Sequence, residues 1–174
     1  MQLQLTGAIR GQRVIDVNGS TPGYAAVLLE LGAAQLASLS VGPSPLAPAL
    51  RNDPRVTYFE RAQLKNLPAS ELPGPFAFFT VDLRFVSSRT SLRALAFRLA
   101  KDTHGIVWLK PEFEVEAAQV KSGGLKGQIL LDHALEQFRH KADSAGFEVV
   151  TETDARSPGP HVDERAIHLV FRGR

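Results

Sequence analysis

Four polar residues of this 174-residue chain stand at the ends of apolar runs. Asp16 lies near the end of Arg13–Val17, Ser40 closes Gln35–Ser40, Asp82 closes Phe76–Asp82, and Lys110 directly follows Ile106–Leu109. Carboxylate, hydroxyl and ammonium groups gathered in this way can hold the polar parts of a ligand. In open α/β sheets the ligand sits outside the carboxyl ends of the strands, where the strand order reverses. The plainer reading of Asp82 and Lys110 is an ordinary buried or rim salt bridge, and at this point both readings stand.

Other constellations carry less. The chain has no cysteine, which excludes a disulfide framework, a thiolate metal site and a cysteine nucleophile. His104, His133, His140, His161 and His168 are scattered without metal-ligand spacing, and His168 falls inside a strand pattern, where a structural role is expected. Glu112, Glu114 and Glu116 alternate with other residues, which reads as an exposed edge or loop and not as a metal site. There is no GxSxG motif and no phosphate-binding P-loop. Net charge is only +2, but Arg84, Arg89, Arg93 and Arg98 occur with no acid among them. That block can meet a phosphate backbone or form a solvated helix face.

The elements that must position these residues alternate between short β-like runs and helical patterns, which argues for βαβ units and a mostly parallel sheet in a single domain over 1–174. Arg13–Val17, Gln35–Ser40, Val56–Phe59, Phe76–Asp82, Ile106–Leu109, Phe147–Val150 and Ala166–Phe171 make about seven strands. Helices are expected at Tyr24–Leu31, closed by Gly32, at Pro45–Arg51, at Ser91–Ala100 and at Gln128–Ala145, capped by Gly146. Lys110–Gly124 and Ser157–Pro160 read as loops. Apolar stretches are interrupted well before the ~20 residues of a membrane span, and the N-terminus lacks signal-peptide features. The expectation is a cytoplasmic protein with no membrane association.

Ordered motifs then carry a resemblance. Val14-Ile-Asp-Val-Asn-Gly-Ser-Thr-Pro-Gly-Tyr24 resembles the DVGASTGGF motif of the haemolysin-A-like (TlyA) branch of FtsJ-type RNA methyltransferases. Leu31-Gly-Ala-Ala34, Asp53-Pro-Arg-Val56 with Glu60-Arg61, Val81–Ser87, Trp108-Leu-Lys-Pro-Glu-Phe-Glu114, Val120–Gly124 and Glu164–Leu169 resemble further motifs of that family, in order, across nearly the whole chain. The resemblance implies a Rossmann-like methyltransferase fold: a seven-stranded, mostly parallel sheet with one antiparallel strand and helices on both faces. It implies S-adenosylmethionine as methyl donor, and RNA, ribosomal RNA in particular, as the partner that is methylated on ribose 2′-hydroxyls.

The resemblance also assigns roles. FtsJ-type enzymes share a Lys-Asp-Lys-Glu group, and Asp82, Lys110 and Glu164 match its last three members. Lys110 would orient or deprotonate the hydroxyl, while Asp82 and Glu164 hold its ammonium group. Asp16, Asn18, Gly19, Ser20, Gly23, Ser40 and Gln63 would bind the cofactor, and no metal is implied; on the charge pattern, and not on the resemblance, Arg84, Arg89 and Arg93 would meet RNA. The chain departs from the family in several places. Asn18 and Pro22 replace glycines that allow positive φ and close backbone approach. Ser40 replaces the acid that binds the cofactor ribose, and Gln63 replaces an Asn. The family's S4 RNA-binding module has no counterpart here, nor has its first lysine, on a helix before the first strand; Arg10 or Arg13 would have to substitute. Two functions follow: an RNA 2′-O-methyltransferase, or an inactive methyltransferase-fold scaffold that binds RNA or protein.

Overall fold

The computed structural model describes residues 5–18, 23–42, 46–82, 88–115, 127–155 and 165–173. In chain order these form α1 (Thr6–Ile9), β1 (Arg13–Asn18), α2 (Gly23–Glu30), β2 (Gln35–Ser40), α3 (Pro48–Arg51), β3 (Val56–Glu60), a 3₁₀ turn (Leu64–Asn66), β4 (Phe76–Asp82), α4 (Ser88–Ala96), β5 (Leu99–Leu109), α5 (Pro111–Glu114), α6 (Gly127–Asp143), β6 (Phe147–Asp154) and β7 (Arg165–Phe171). The strands make one sheet in the order β3-β2-β1-β4-β5-β7-β6. β7 runs antiparallel to both of its neighbours, and the other pairings are parallel. The order reverses between β1 and β4, and that is the switch point for a ligand.

The period of two along each strand divides the apolar residues between two cores. Val14, Leu36 and Phe78 face one side with Ala25, Leu28 and Leu29 of α2. Ile15, Leu39, Phe79 and Val81 face the other, with Leu92 and Leu95 of α4 and Leu131 and Phe138 of α6. Helices on both faces and buried central strands are what runs such as Phe76-Ala-Phe-Phe-Thr-Val require. Two glycines are needed where they stand. Gly32, at φ 93°, closes α2: its N–H donates to Leu29 O and the next N–H, Ala33, to Leu28 O, both at 3.1 Å. Gly105 leaves room for Phe79, whose ring atoms would lie 2.4 Å from an added Cβ.

Most sequence boundaries are met within a residue or two, but β6 runs to Asp154, four residues past the expected Val150, and three further readings are corrected. The helix expected over Ser91–Ala100 is Ser88–Ala96, because Leu99 and Ala100 already belong to β5. Arg98 marks the switch: its carbonyl accepts the Phe76 N–H at 2.9 Å, so backbone pairing with β4 outcompetes one more helical turn. β5 is therefore an eleven-residue strand with a register shift opposite Phe76 and Phe78. The loop expected from Lys110 begins with α5. The expected loop at Ser157–Pro160 lies outside the described residues.

Candidate active site

Lys110 is placed by its neighbours in sequence. β5 alternates so that Val107 and Leu109 enter the α4/α6 core, while Trp108 and Lys110 point to the opposite face. A residue before proline is held out of the helical region, and Lys110 sits at φ −115°, ψ 107° before Pro111, which begins α5. The strand thus runs right up to Lys110, and the chain turns immediately after it. The Phe113 N–H donates to the Lys110 carbonyl at 3.0 Å.

On the adjacent parallel strand, Asp82 closes β4, and the Lys110 Nζ donates to its Oδ1. Both side chains are only 3% exposed. One pleat earlier on β4, Thr80 donates to the Asp16 Oδ1 at 2.6 Å and ties the end of β1 to β4. Asp16 is itself fully buried. Trp108, one pleat before Lys110, stacks on Tyr24 of α2 with ring centroids 3.9 Å apart. The sequence reading missed Thr80 and Trp108, although strand alternation puts both on the face of Asp82 and Lys110. A burial-driven ion pair with charge on both sides can orient a polar group at the rim and stabilise charge that develops there.

Behind Lys110 stands a second ion pair. Lys141 of α6 donates to the Glu114 carboxylate at 3.0 Å and to the Glu114 carbonyl at 2.8 Å. Glu114 is buried, not at the exposed edge or loop expected for it. The side chain of Glu112 and residue Glu116 lie outside the described residues. Lys141 fastens the far end of the turn that starts at Lys110. Nothing in the sequence announced it, since 27 residues separate the two partners.

At the ends of β2 and β3 the chain forms a second cluster. Ser40 is buried and donates its hydroxyl proton to the Gly42 carbonyl at 2.7 Å. Arg61 takes a φ of 52°, in the left-handed region that non-glycine residues seldom occupy. The resulting turn lets the Ala62 N–H donate to the Ser40 carbonyl at 2.9 Å. Gln63 follows, and with Val17, Val41, Leu64, Lys65, Thr90 and Ser91 it lines a cavity of about 20 Å³. Gly23 begins α2 with open space where a side chain would project. These donors and acceptors can pair with the polar edge of a ligand. With its proton committed to Gly42, the Ser40 oxygen is left with acceptor capacity, and Gln63 carries an exposed amide. What the set lacks, among the described residues, is an acid at the end of β2.

Other expected site residues are placed or left open as follows. Asn18 ends β1, and nothing is described of its side chain. Gly19, Ser20, Pro22, Arg84 and Glu164 lie outside the described residues. Arg89 belongs to α4 without a described side chain, and Arg93 is exposed on the same helix. Neither arginine considered for the first lysine reaches Lys110. Arg13 starts β1 and donates to the Pro73 carbonyl at 3.0 Å. Arg10 lies against Gly32 before β2, so both stand at the amino edge of the sheet. His168 is buried, with its Nε2 2.9 Å from the His104 Nδ1. Its own Nδ1 is buried with no partner among the described residues. Burial, and then the charge of His104, push His168 below its ordinary value of 6.5. Among the described residues no cluster of acids and histidines could hold a metal ion, and no helix is long and apolar enough to cross a membrane.

Comparison with known proteins adds a family and several relatives. The pattern described as FtsJ-like methyltransferase matches residues 2–171. The 16S/23S rRNA (cytidine-2′-O)-methyltransferase TlyA of Mycobacterium tuberculosis is 34% identical over 154 residues, covering 88% of this chain and 58% of that protein. The 23S rRNA (cytidine-2′-O)-methyltransferase TlyA of Campylobacter jejuni is 29% identical over 141 residues, 80% of this chain and 54% of its own length. The chain thus spans a little over half the length of these relatives. A solved hemolysin-like structure from Lactococcus lactis superposes with a TM-score of 0.85 at 28% identity, over 98% of this chain and 84% of the other.

Proposed function

The chain belongs to the FtsJ-like methyltransferase family, and on that premise we propose that it transfers a methyl group from S-adenosylmethionine to a ribose 2′-hydroxyl of ribosomal RNA. The observation that carries the reading is the buried Lys110–Asp82 pair on the carboxyl ends of two adjacent parallel strands. Two charges removed from water gain nothing in stability over a well-packed apolar pair. Their retention beside a ligand-binding switch point has a use in chemistry.

When bound, S-adenosylmethionine supplies an electrophilic methyl group on a positively charged sulfur. Ser40 and Gln63 would hold its nucleoside portion, with Asn18, Gly19, Ser20 and Gly23 as further contacts. Asp16, held by Thr80, ties the end of β1 to β4. Lys110 has the task on the acceptor side. A ribose hydroxyl is a weak nucleophile, so a base must take its proton, or a cation must stabilise the charge that grows on the oxygen. Lys110 orients the hydroxyl and stabilises that charge, and Asp82 fixes the ammonium where it is needed. Glu164 is the third member: it immediately precedes Arg165, which pairs with Leu109 at the start of β7, beside the Lys110 end of β5. Arg84, Arg89 and Arg93 would face RNA phosphates.

The test is transfer of a tritiated methyl group to ribosomal subunits, followed by nucleoside analysis for 2′-O-methylation. Wild type is expected to label RNA, and Lys110→Ala to abolish labelling with cofactor and RNA binding near wild type, the pattern of an interaction made in the transition state. Absence of labelling on every ribosomal RNA, with RNA still bound, would favour the inactive scaffold.

A further inference from the structure

We propose that the cleft along α4 binds a single-stranded stretch of RNA, with Phe97 as the platform on which an unpaired base stacks. The proposal rests on the reading of this protein as acting on RNA, and deepens it by naming the form of the RNA and the residues that grip it. The cleft, of about 440 Å³, is lined by Lys65, Thr90, Arg93, Ala94, Phe97 and Arg98. It shares Lys65 and Thr90 with the small cavity at the ends of β1 and β2, so it begins beside the cofactor end of the site.

The helix explains the arrangement. Leu92 and Leu95 turn inward and are fully buried, which sends Thr90, Arg93 and Phe97 to the opposite side at spacings of three and four. Thr90 and Arg93 lie in α4 and Phe97 directly follows its last residue, so the stripe is about 10 Å long. Phe97 falls off the apolar stripe and is 74% exposed. An exposed aromatic on a protein surface is unremarkable; one set in a cleft with three cations and, among the described residues, no acid is a different matter. Arg98 donates to the carbonyls of Ala94, at 3.0 Å, and of Leu67, which joins α4 to the segment after the 3₁₀ turn and fixes the cleft's floor. Among the described residues no carboxylate pairs with Lys65, Arg93 or Arg98.

Positive charge attracts phosphate, and a flat exposed ring has a use when the partner offers a flat face. Duplex RNA hides its base faces in the stack, so a ring here selects an unpaired strand. An acidic protein segment would satisfy the cations and leave the ring idle.

The experiment measures binding of a fluorescein-labelled twelve-nucleotide single-stranded RNA, and of its duplex, to the full chain by anisotropy over a salt series. Phe97→Ala should weaken single-strand binding about 5- to 150-fold, as loss of one base–aromatic stack does, and leave duplex binding unchanged. Phe97→Tyr should retain it. Arg93→Ala and Lys65→Ala should each lower the salt slope by about 0.7. Both positions are exposed, and thermal melts of each variant verify folding. Unchanged single-strand affinity in Phe97→Ala overturns the proposal, as does equal loss on both forms of RNA, or a cleft that takes an acidic peptide in place of RNA. Methyl transfer by the same preparations is read in parallel. Labelled RNA with an indifferent Phe97 refutes the cleft and leaves the enzymatic reading intact, whereas failure of that reading shows as absent labelling by wild type.

Discussion

Removing the Lys110 amine is the perturbation with the largest consequence that can be worked from the structure. Lys110→Met leaves the Asp82 carboxyl group, with its side chain 3% exposed, without its ammonium partner. Breaking a buried pair from one side costs about 3–5 kcal/mol, against a total stability of roughly 5–15 kcal/mol for a domain. For a chain of this length each kcal/mol moves the melting temperature by about 2–4 °C, so the drop should be about 6–20 °C. Asp82→Asn should lose a similar amount, because the ammonium is then the orphan. The double variant removes both charges together, and neutral residues of similar volume at a buried pair are often neutral or stabilising. Urea melts followed by circular dichroism on all four proteins give the coupling energy directly. The double variant should melt near wild type and transfer no methyl group. If the two single losses simply add in the double variant, the pair is not coupled. If the double variant still methylates RNA, Lys110 is not the acceptor-side group, whatever its contribution to the fold.

Three further outcomes can be checked. Ser40→Asp should tighten S-adenosylmethionine binding, measured by calorimetric titration, by about one to two decades through a charge-assisted hydrogen bond; unchanged affinity would mean that β2 does not meet the cofactor ribose. Lys141→Met should lower kcat with KM little changed, and Lys141→Arg should restore kcat, because the Glu114 turn behind Lys110 needs a donor and not a particular amine; equal changes in kcat and KM would count against positioning. Because folding holds His168 below its ordinary 6.5, the unfolded chain binds that proton more tightly, so stability should fall as pH drops through 6.5 and level off below the folded-state value. His168→Gln should flatten that part of a melting-temperature profile from pH 7.5 to 5, and an unaltered slope would assign it to other groups.

Much of this was legible because the periodicities are strong. The nearly all-apolar run ending at Asp82 reads as a buried parallel strand, and Ile106–Leu109 placed the end of β5 correctly. The ends of α4 and β5 were not legible, since SLRALAFRLA suits either element and only pairing of Arg98 with Phe76 decides between them. Glu114 was misjudged for a related reason. Alternating acids look solvated in one dimension, and the cation that buries Glu114 comes from α6, across a separation no local pattern reports. Arg10 and Arg13 were near the first strand in sequence but at its wrong end in space. The roles of Asp82 and Lys110 came from the family motifs; spacing alone placed them at strand ends.

The strand order has a consequence for synthesis. β7 is the last strand in chain order, yet it lies between β5 and β6, which are made before it. Until residues 165–171 have left the ribosome, the flank of β5 nearest Lys110 has no neighbour, and β6 has nothing to pair with at all. A nascent chain therefore carries two open sheet edges, of the kind that recruit other strands, for the time it takes to translate its closing segment. The half of the sheet that presents the lysine is completed by a wedge driven in from the C-terminal side. Small lesions near Phe171 should accordingly appear as insoluble protein, well before they disturb the Lys110–Asp82 pair.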